Sequence, residues 1–338
     1  MSLLEIKGLE TEFQTEQGVV KALRGINYTV DRGEVLGIVG ESGSGKSVGM
    51  LSLMGLLAPN GTVTAGEMIF DGEDISPIKY KTKKEKKEYE KKMNQIRGND
   101  ISMIFQDPMS YLNPIVTIEK QMTEGIRFHT KCSKKEAVQR AVELMKMVGI
   151  PAPESRLKQY PFEFSGGMRQ RIIIAIALAC NPKLIVADEP TTALDVTVQA
   201  QILDLLKDIT RESNAGVIII THDLGVVASL CDRISIMYGG NIMEEGTTDE
   251  IFYDPKHPYT KGLLNSIANS NIDHREPLKP IPGTPPDLLK LGDQCPFASR
   301  CSEAMEICTK ASPLVTEFGE KHKCKCWLHC KDRWHEVW

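Results

Sequence analysis

The stretch Leu36-Gly-Ile-Val-Gly-Glu-Ser-Gly-Ser-Gly-Lys-Ser47 decides the fold of this chain. Its apolar beginning predicts a buried strand, and residues 40–47 fit the pattern G-x-x-x-x-G-K-[ST] with a helix to follow. The glycines allow successive backbone N–H groups to point at phosphate oxygens, and the helix presents its positive end to the same anion. A strand, a phosphate loop and a helix in this order predict a nucleotide-binding α/β domain.

Two side chains of the phosphate loop, residues 40–47, carry specific chemistry. Lys46 is predicted to place its charge on the β- and γ-phosphates of ATP, and the Ser47 hydroxyl to bind Mg²⁺. A chance match to so short a pattern is the competing interpretation, and the flanking strand and helix argue against it. The other residues predicted to contact ATP here are Ser42, Gly43, Ser44, Gly45 and Val48.

A second apolar run, Leu184-Ile-Val-Ala-Asp-Glu189, ends in two acids. Asp188 is placed to hold Mg²⁺, directly or through water. Glu189 can accept a proton from the attacking water or orient it. Such a run would ordinarily be only a strand and a turn. Beside a phosphate loop it predicts the second half of a nucleotide site.

The segment Phe164-Ser-Gly-Gly-Met-Arg-Gln-Arg171 adds a second candidate anion site. Ser165 is predicted to cap a helix, and Gly166 and Gly167 expose N–H groups at its start. A capped helix with a flexible entry is the plainer interpretation. The segment resembles the signature motif of ABC ATPases, with Phe for Leu and Met for Gln. That resemblance implies that the motif contacts the ATP held by another subunit.

Four further residues fall in the order of the ABC family. By this resemblance Gln106 is the Q-loop glutamine, which senses Mg²⁺ and couples to the membrane subunit. Asp195 belongs to the D-loop, and His222 is the switch histidine that contacts the γ-phosphate. Phe13 lies where the family places the aromatic ring that stacks on adenine, although a Phe in a strand is usually a core residue.

The resemblance covers residues 1–250 and implies an ABC nucleotide-binding domain with a mainly parallel core sheet. It also implies an antiparallel β subdomain and a helical signature subdomain over residues 107–180.

From the residues themselves, short strands are predicted at 3–6 and 28–30, broken by Gly8 and Gly18. Residues 117–180 look helical, with breaks at Pro151 and Pro153. The lysine-rich stretch 79–92 predicts a solvated helix, with contact to anionic lipid as the weaker alternative.

The region 251–338 is predicted to be a small cysteine-rich C-terminal domain. Its segments His257-Pro-Tyr-Thr260, Ile281-Pro-Gly-Thr-Pro-Pro286 and Cys295-Pro-Phe297 resemble ATP-binding subunits of dipeptide and oligopeptide importers. That resemblance implies peptide import, with nickel or a sugar as the alternative cargo. It also implies a second ATPase subunit, favoured to be a paralogue in a heterodimer. The other implied partners are two transmembrane permease subunits and an extracytoplasmic peptide-binding protein.

Six of the nine cysteines lie in the last 44 residues, which favours a metal or redox site over disulfides. Cys295, Cys301, Cys308 and Cys326, spaced C-x5-C-x6-C-x17-C, are predicted to bind a [4Fe–4S] cluster. Structural zinc usually takes tighter pairs. The resemblance to dipeptide importers also implies a cluster for relatives with this cysteine pattern. Reduced thiols that pack a small domain are the alternative. Cys324 and Cys330 compete for the fourth place.

Composition excludes several other classes. A net charge of −4 gives no reason to expect nucleic acid as a partner. No secretory signal is recognised, and the longest apolar run, 172–180, is far shorter than the roughly 20 residues of a spanning helix. The expectation is a peripheral protein at the cytoplasmic face of the membrane.

Three other functions share some of these motifs. A chromosome-maintenance or DNA-repair ATPase needs a long coiled coil before the signature, and residues 48–164 hold no sustained heptads. A translation-type ABC protein carries two phosphate loops, and one is found here. A metal-sensing module without enzymatic activity would make the C-terminal cysteines the functional site.

Overall fold

The computed structural model describes residues 2–105, 111–191, 194–266 and 281–330. Within them the chain divides into two compact units, and it passes from one to the other several times. The first unit comprises the N-terminal residues through Leu3, Val30–Val35 and Lys79–Ile220. The second unit comprises Leu4–Thr29, Leu36–Ile78 and the chain from Thr221 onward.

The strands of the described residues are β1 (Leu4–Thr15), β2 (Gly18–Val30), β3 (Val35–Val39), β4 (Gly61–Phe70), β5 (Glu73–Asp74), β6 (Ile101–Ile104), β7 (Leu184–Asp188), β8 (Gly216–Thr221), β9 (Arg233–Tyr238), β10 (Asn241–Thr247), β11 (Val315–Glu317) and β12 (Lys323–Lys325). The α-helices are α1 (Lys46–Met54), α2 (Lys83–Ile96), α3 (Ile118–Thr130), α4 (Lys134–Met147), α5 (Pro153–Arg156), α6 (Gly166–Ala177), α7 (Val196–Ser213), α8 (Leu224–Leu230), α9 (Thr248–Tyr253) and α10 (Pro258–Asn265). No described helix combines the length and the apolar character needed to cross a membrane.

The first unit is built on parallel strands in the order β8-β7-β6. Every residue of β7 and β8 is buried, which explains their nearly continuous apolar sequences. Helices α3, α4 and α6 pack on one another, and α6 also contacts β6. The predicted helical stretch 117–180 is therefore real but divided, and Pro153 opens the short helix α5 where a break was expected.

The lysine-rich helix differs from its prediction in position and in burial. It begins after Thr82, which forms a capping box with Glu85, and it runs on to Ile96. Tyr89, Met93 and Ile96 lie one turn apart and are buried, so the helix is solvated on one side only. Because lysines make up so much of this segment, the sequence pattern did not indicate its apolar stripe.

The second unit contains two sheets. In one, β2-β1-β4-β5 are neighbours, with β1 and β5 antiparallel to β4. In the other, the order is β11-β12-β10-β9-β3, where β3 runs parallel to β9 and the remaining pairs are antiparallel. The mixture of parallel and antiparallel pairing with helices confirms the predicted α/β class.

Gly8 was expected to end the first strand, and that prediction is wrong. It lies inside β1 with φ +58°, next to an irregularity in the pairing between Lys7 and Glu10. A glycine accepts this conformation without cost to a Cβ, so β1 bulges and continues to Thr15. Gly18 begins β2 and so does separate two strands.

The cysteine-rich region is tied to strand β10. Strand β12 pairs with β10, placing Cys324 opposite Glu244. Trp327 is fully buried, and its indole Nε1 donates to the Ala311 carbonyl at 3.0 Å. Helix α9 spans the predicted domain boundary at residue 250, and that boundary stays a prediction.

Candidate nucleotide site

The phosphate loop lies in the second unit between β3 and α1. Its curvature depends on glycine, because a Cβ on Gly40 would stand 2.2 Å from the Met237 carbonyl oxygen. A Cβ on Gly45, where φ is +104°, would stand 2.8 Å from the Ala22 carbonyl oxygen. Gly45 is also the N-cap of α1 and supplies no side-chain hydrogen bond, which leaves the start of the helix for an anion.

Two polar side chains of the loop are buried inside this curve. The Lys46 ammonium donates to the carbonyls of Gly40 at 2.6 Å and Glu41 at 2.9 Å. The Ser44 hydroxyl is buried and has no hydrogen-bond partner among the described residues. A buried cation, an orphaned hydroxyl and an uncapped helix start together fit a bound polyphosphate. Ser42, Gly43 and Ser47 are exposed on the loop.

The acidic strand end lies in the first unit at the end of β7. Asp188 is its last residue and is 8% exposed. Glu189 follows with φ +47°, a conformation that costs a non-glycine residue about 1–3 kcal/mol. Its N–H donates to the Ile220 carbonyl at 2.8 Å, which fixes the backbone of the turn. Backbone strain of this kind is concentrated at functional sites.

The signature segment opens helix α6, also in the first unit. Ser165 is the predicted N-cap, and its hydroxyl accepts from the Met168 N–H at 3.3 Å. Ser165 and Gly166 are exposed, and nothing lies within 4 Å of a Cβ placed on Gly166. A Cβ on Gly167 would stand 2.9 Å from Val198, so this glycine is required by packing. The start of α6 is therefore open to solvent.

Gln170 makes a contact next to the acidic turn that the sequence analysis missed. It is buried, and its amide donates to the Pro190 carbonyl at 2.8 Å, which connects α6 to the turn that holds Glu189. Sequence pattern carries no signal for such a contact, because the two residues lie on separate elements. Asp195 caps α7 through a 3.0 Å bond from the Val198 N–H, the residue against which Gly167 packs.

The remaining predicted residues fall in different surroundings. Phe13 is half-buried in β1, with its ring against the backbone of Gly61 on the paired strand. His222 directly follows β8. Gln106 lies outside the described residues. The roles predicted for these side chains stay predictions.

The four predicted cluster cysteines share one neighbourhood in the second unit. The Cys295 N–H donates to the Cys308 carbonyl at 2.9 Å. Burial raises the pKa of the Cys295 thiol to about 12, and charge repulsion from Cys308, Cys326 and Cys301 adds to it. A hydrogen bond from Cys324 lowers the pKa of Cys326. Across the described part of the chain, however, no three His, Cys, Asp or Glu side chains take up the geometry of a metal site.

Known proteins with similar sequences place the chain in a family. Residues 23–192 match the family model described as ABC transporter. Residues 243–308 match the model for the oligopeptide/dipeptide transporter C-terminal region. The chain is 52% identical over 327 residues to the oligopeptide transport ATP-binding protein OppD of Bacillus subtilis (strain 168), covering 96% of this chain and 88% of that protein. It is 48% identical over 336 residues to the dipeptide transport ATP-binding protein DppD of the same organism, covering 99% and 97%.

Solved structures show the same fold. A dimeric ATP-binding cassette bound to ADP and Pi after hydrolysis superposes with a TM-score of 0.62 at 29% identity, covering 72% of this chain and 98% of that one. A component of an ABC transporter complex from Clostridium perfringens gives a TM-score of 0.60 at 28% identity, covering 75% and 91%.

The phosphate loop, the acidic strand end and the signature helix, together with these matches, define an ABC transporter ATP-binding protein. The chain belongs, within that class, to the oligopeptide/dipeptide transporter family. It binds and hydrolyses ATP with Mg²⁺, as the sequence predicted.

We expect Glu189→Gln to bind ATP within about threefold of the wild-type affinity and to hydrolyse it about 10²–10⁴-fold more slowly, because general-base catalysis contributes about that factor.

Lys46→Ala should instead lose ATP binding, because the phosphates lose their buried counter-charge. Purified variants would be compared by nucleotide titration and phosphate release.

The control for charge alone is Glu212→Gln, which removes an exposed carboxylate at the end of α7. It should behave as the wild type in both assays. Hydrolysis by Glu189→Gln at the wild-type rate would show that another group acts on the water.

Proposed function

We propose that this chain is the ATP-hydrolysing subunit that powers peptide import by an ABC transporter, at the cytoplasmic face of the membrane. The observation that carries the proposal is the match of residues 243–308 to the oligopeptide/dipeptide transporter C-terminal region. The two solved cassettes described above cover 72% and 75% of the chain. The relatives that cover nearly all of it are named for oligopeptide and dipeptide transport.

The proposed mechanism closes two nucleotide-binding domains head to tail over ATP. The phosphate loop of one domain holds the triphosphate through its amides and Lys46, and Phe13 stacks on the adenine. The exposed start of α6, with Ser165, Gly166 and Gly167, contacts the ATP of the partner. A similar cassette is dimeric with ADP and Pi bound, which supports this arrangement.

We assign the chemistry to a small set of side chains. Ser47, Gln106 and Asp188 would hold Mg²⁺, which would supply positive charge to the phosphates when bound. Glu189 orients or deprotonates the attacking water, and His222 contacts the γ-phosphate. ATP favours the closed state because only in that state do the phosphate loop and the start of the partner's α6 both contact it. Hydrolysis of ATP then allows the dimer to open.

In the proposed mechanism, closure of the two domains acts on membrane partners. We assign this coupling to the Q-loop region from Gln106 to Pro114, moving against a helix of a permease subunit. The proposed assembly contains a second ATPase subunit, favoured to be a paralogue, and two permease subunits. An extracytoplasmic peptide-binding protein would deliver the cargo. The proposed assembly contains no nucleic acid.

Import is tested in cells that lack this chain's gene and receive it back on a plasmid. Uptake of labelled di- to hexapeptides should fall on deletion and return with the wild type, whereas Glu189→Gln should not restore it. Nickel and maltose uptake are measured in parallel. Loss of either of these with unchanged peptide uptake would assign the subunit to the alternative cargo.

Ser165→Arg should impair hydrolysis of the ATP bound by the partner subunit. ATP binding by the variant chain itself should remain intact. The bulky cation occupies the exposed helix start that the mechanism places against the ATP of the other subunit. The isolated variant should bind ATP within about twofold of the wild type, while hydrolysis by the assembled transporter falls at least tenfold, a loss of about 1.4 kcal/mol or more. Loss of ATP binding by the isolated variant would contradict a role in trans.

We also propose that Cys295, Cys301, Cys308 and Cys326 hold a [4Fe–4S] cluster with a structural role. Four thiols are a suitable donor set, and Cys326 is preferred to Cys324 and Cys330 because Cys326-Trp-Leu best matches the closing cysteine of the family it resembles. Anaerobically purified protein should contain about four iron and four sulfide per chain. Cys326→Ser should lower both, and Cys132→Ser, far along the sequence, should not. A colourless protein with one zinc would refute the cluster.

A further inference from the structure

Glu41, the second residue of the phosphate loop, is bonded through every polar group that it has. Its carbonyl accepts from the Lys46 ammonium at 2.9 Å and from the Ser44 N–H at 3.2 Å. Its N–H donates to the Tyr259 hydroxyl at 3.1 Å. Its carboxylate accepts from the Arg300 guanidinium at 2.7 Å. Two of these four partners come from the C-terminal part of the chain, more than 200 residues away.

Arg300 is held rigidly where it meets Glu41. Besides the carboxylate, its guanidinium donates to the carbonyls of Pro282 at 2.8 Å and Ile281 at 3.2 Å, and to the Tyr238 hydroxyl at 3.0 Å. Its side chain is only 5% exposed. A guanidinium offers its donors in a fixed planar fork, so four acceptors determine both its position and its orientation.

Tyr259 is positioned from the other side. It is fully buried, and its N–H donates to the His257 ring at 3.0 Å at the start of α10. The ring of Phe297 lies 5.2 Å from the Tyr259 ring and 5.3 Å from the Tyr238 ring. We call Tyr259, Phe297 and Arg300 the C-terminal brace. All three residues and the phosphate loop belong to the second unit.

A carboxylate in a phosphate-binding loop is an electrostatic liability, because it repels the ATP triphosphate at short range. Arg300 lies 2.7 Å from that carboxylate and compensates its charge. The same contact fixes the backbone of Glu41, whose carbonyl orients the Lys46 ammonium. Loss of Arg300 would therefore leave the Glu41 carboxylate uncompensated. It would also free the Glu41 carbonyl, which orients the Lys46 ammonium.

We propose that the C-terminal brace positions the phosphate loop for ATP, with Arg300 and Tyr259 acting through Glu41. Arg300 and Tyr259 are positioning residues for nucleotide binding, and the C-terminal region is thereby part of the ATP site. The inference rests on ATP binding by the loop. It does not depend on which cargo the transporter carries.

The test is a double-mutant cycle on purified full-length chain, read as the Kd for ATP and as the thermal midpoint Tm. Arg300→Gln should raise Kd about tenfold or more, because the Glu41 carboxylate, no longer compensated, then repels the ATP triphosphate at short range. Arg300→Lys, which keeps the charge, should raise it less. Tyr259→Phe should raise Kd about two- to tenfold through loss of one neutral hydrogen bond.

The decisive variant is Glu41→Gln combined with Arg300→Gln. If Arg300 acts by compensating the Glu41 charge, removing that charge should return Kd toward the wild-type value, although the double variant has lost more contacts. A merely structural role of Arg300 predicts the opposite, because stability falls further with each lost contact. Rescue would show that Arg300 acts on ATP binding through the charge of Glu41, and it would separate that role from a general loss of stability.

Arg24→Gln is the matched control. Arg24 also reaches the C-terminal region, donating to the carbonyls of Leu291 at 2.6 Å and Gly292 at 3.0 Å, but these are not groups of the phosphate loop. Its Kd for ATP should stay within about twofold of the wild type. The brace is refuted if Arg300→Gln binds ATP as the wild type does, if Arg24→Gln weakens binding equally, or if Glu41→Gln fails to rescue Arg300→Gln. Peptide uptake does not enter this assay, so failure of peptide import would leave its result intact.

Discussion

Close backbone contact between the phosphate loop and the turn after β9 is the constraint on which the nucleotide site depends. Gly40 lies so near the Met237 carbonyl that any side chain would collide with it. The Gly240 N–H donates to the Ser44 carbonyl at 3.0 Å. Glycine on both sides lets the loop curl around a phosphate instead of extending from β3 into the helix.

In the first unit, the candidate site depends on two capped helix N-termini. Ser165 caps α6 and Asp195 caps α7, and each leaves a helix start at the surface. Gln170 then connects α6 to the turn that holds Glu189 in its unusual backbone conformation. One buried amide thus links α6 to the acidic turn.

A buried carboxylate organises the C-terminal part of the second unit. Glu244 on β10 accepts from the N–H groups of Lys256 at 2.7 Å and His257 at 2.9 Å, and it contacts the His322 ring at 2.8 Å. Burial lowers the pKa of His257 to about 3, so its ring nitrogen stays free of a proton and accepts the Tyr259 N–H. This one side chain joins β10 to the start of α10 and to the chain just before β12, and through His257 it supports Tyr259 of the C-terminal brace.

Sequence alone determined the features that are local and periodic. The phosphate loop, the apolar strands β7 and β8 and the cap at Ser165 are each contained in a few consecutive residues, so a pattern of residue types suffices to predict them. The cysteine spacing likewise suggested a ligand set, although no pattern of spacing can establish the geometry of the sulfurs. Only the tertiary structure decided the bulge at Gly8, the buried side of α2, the bond from Gln170 to Pro190 and the ion pair between Glu41 and Arg300. The last joins residues 259 positions apart. Such contacts depend on where whole strands and helices lie against each other, and a polar side chain carries no mark in the sequence of the partner that packing will bring to it.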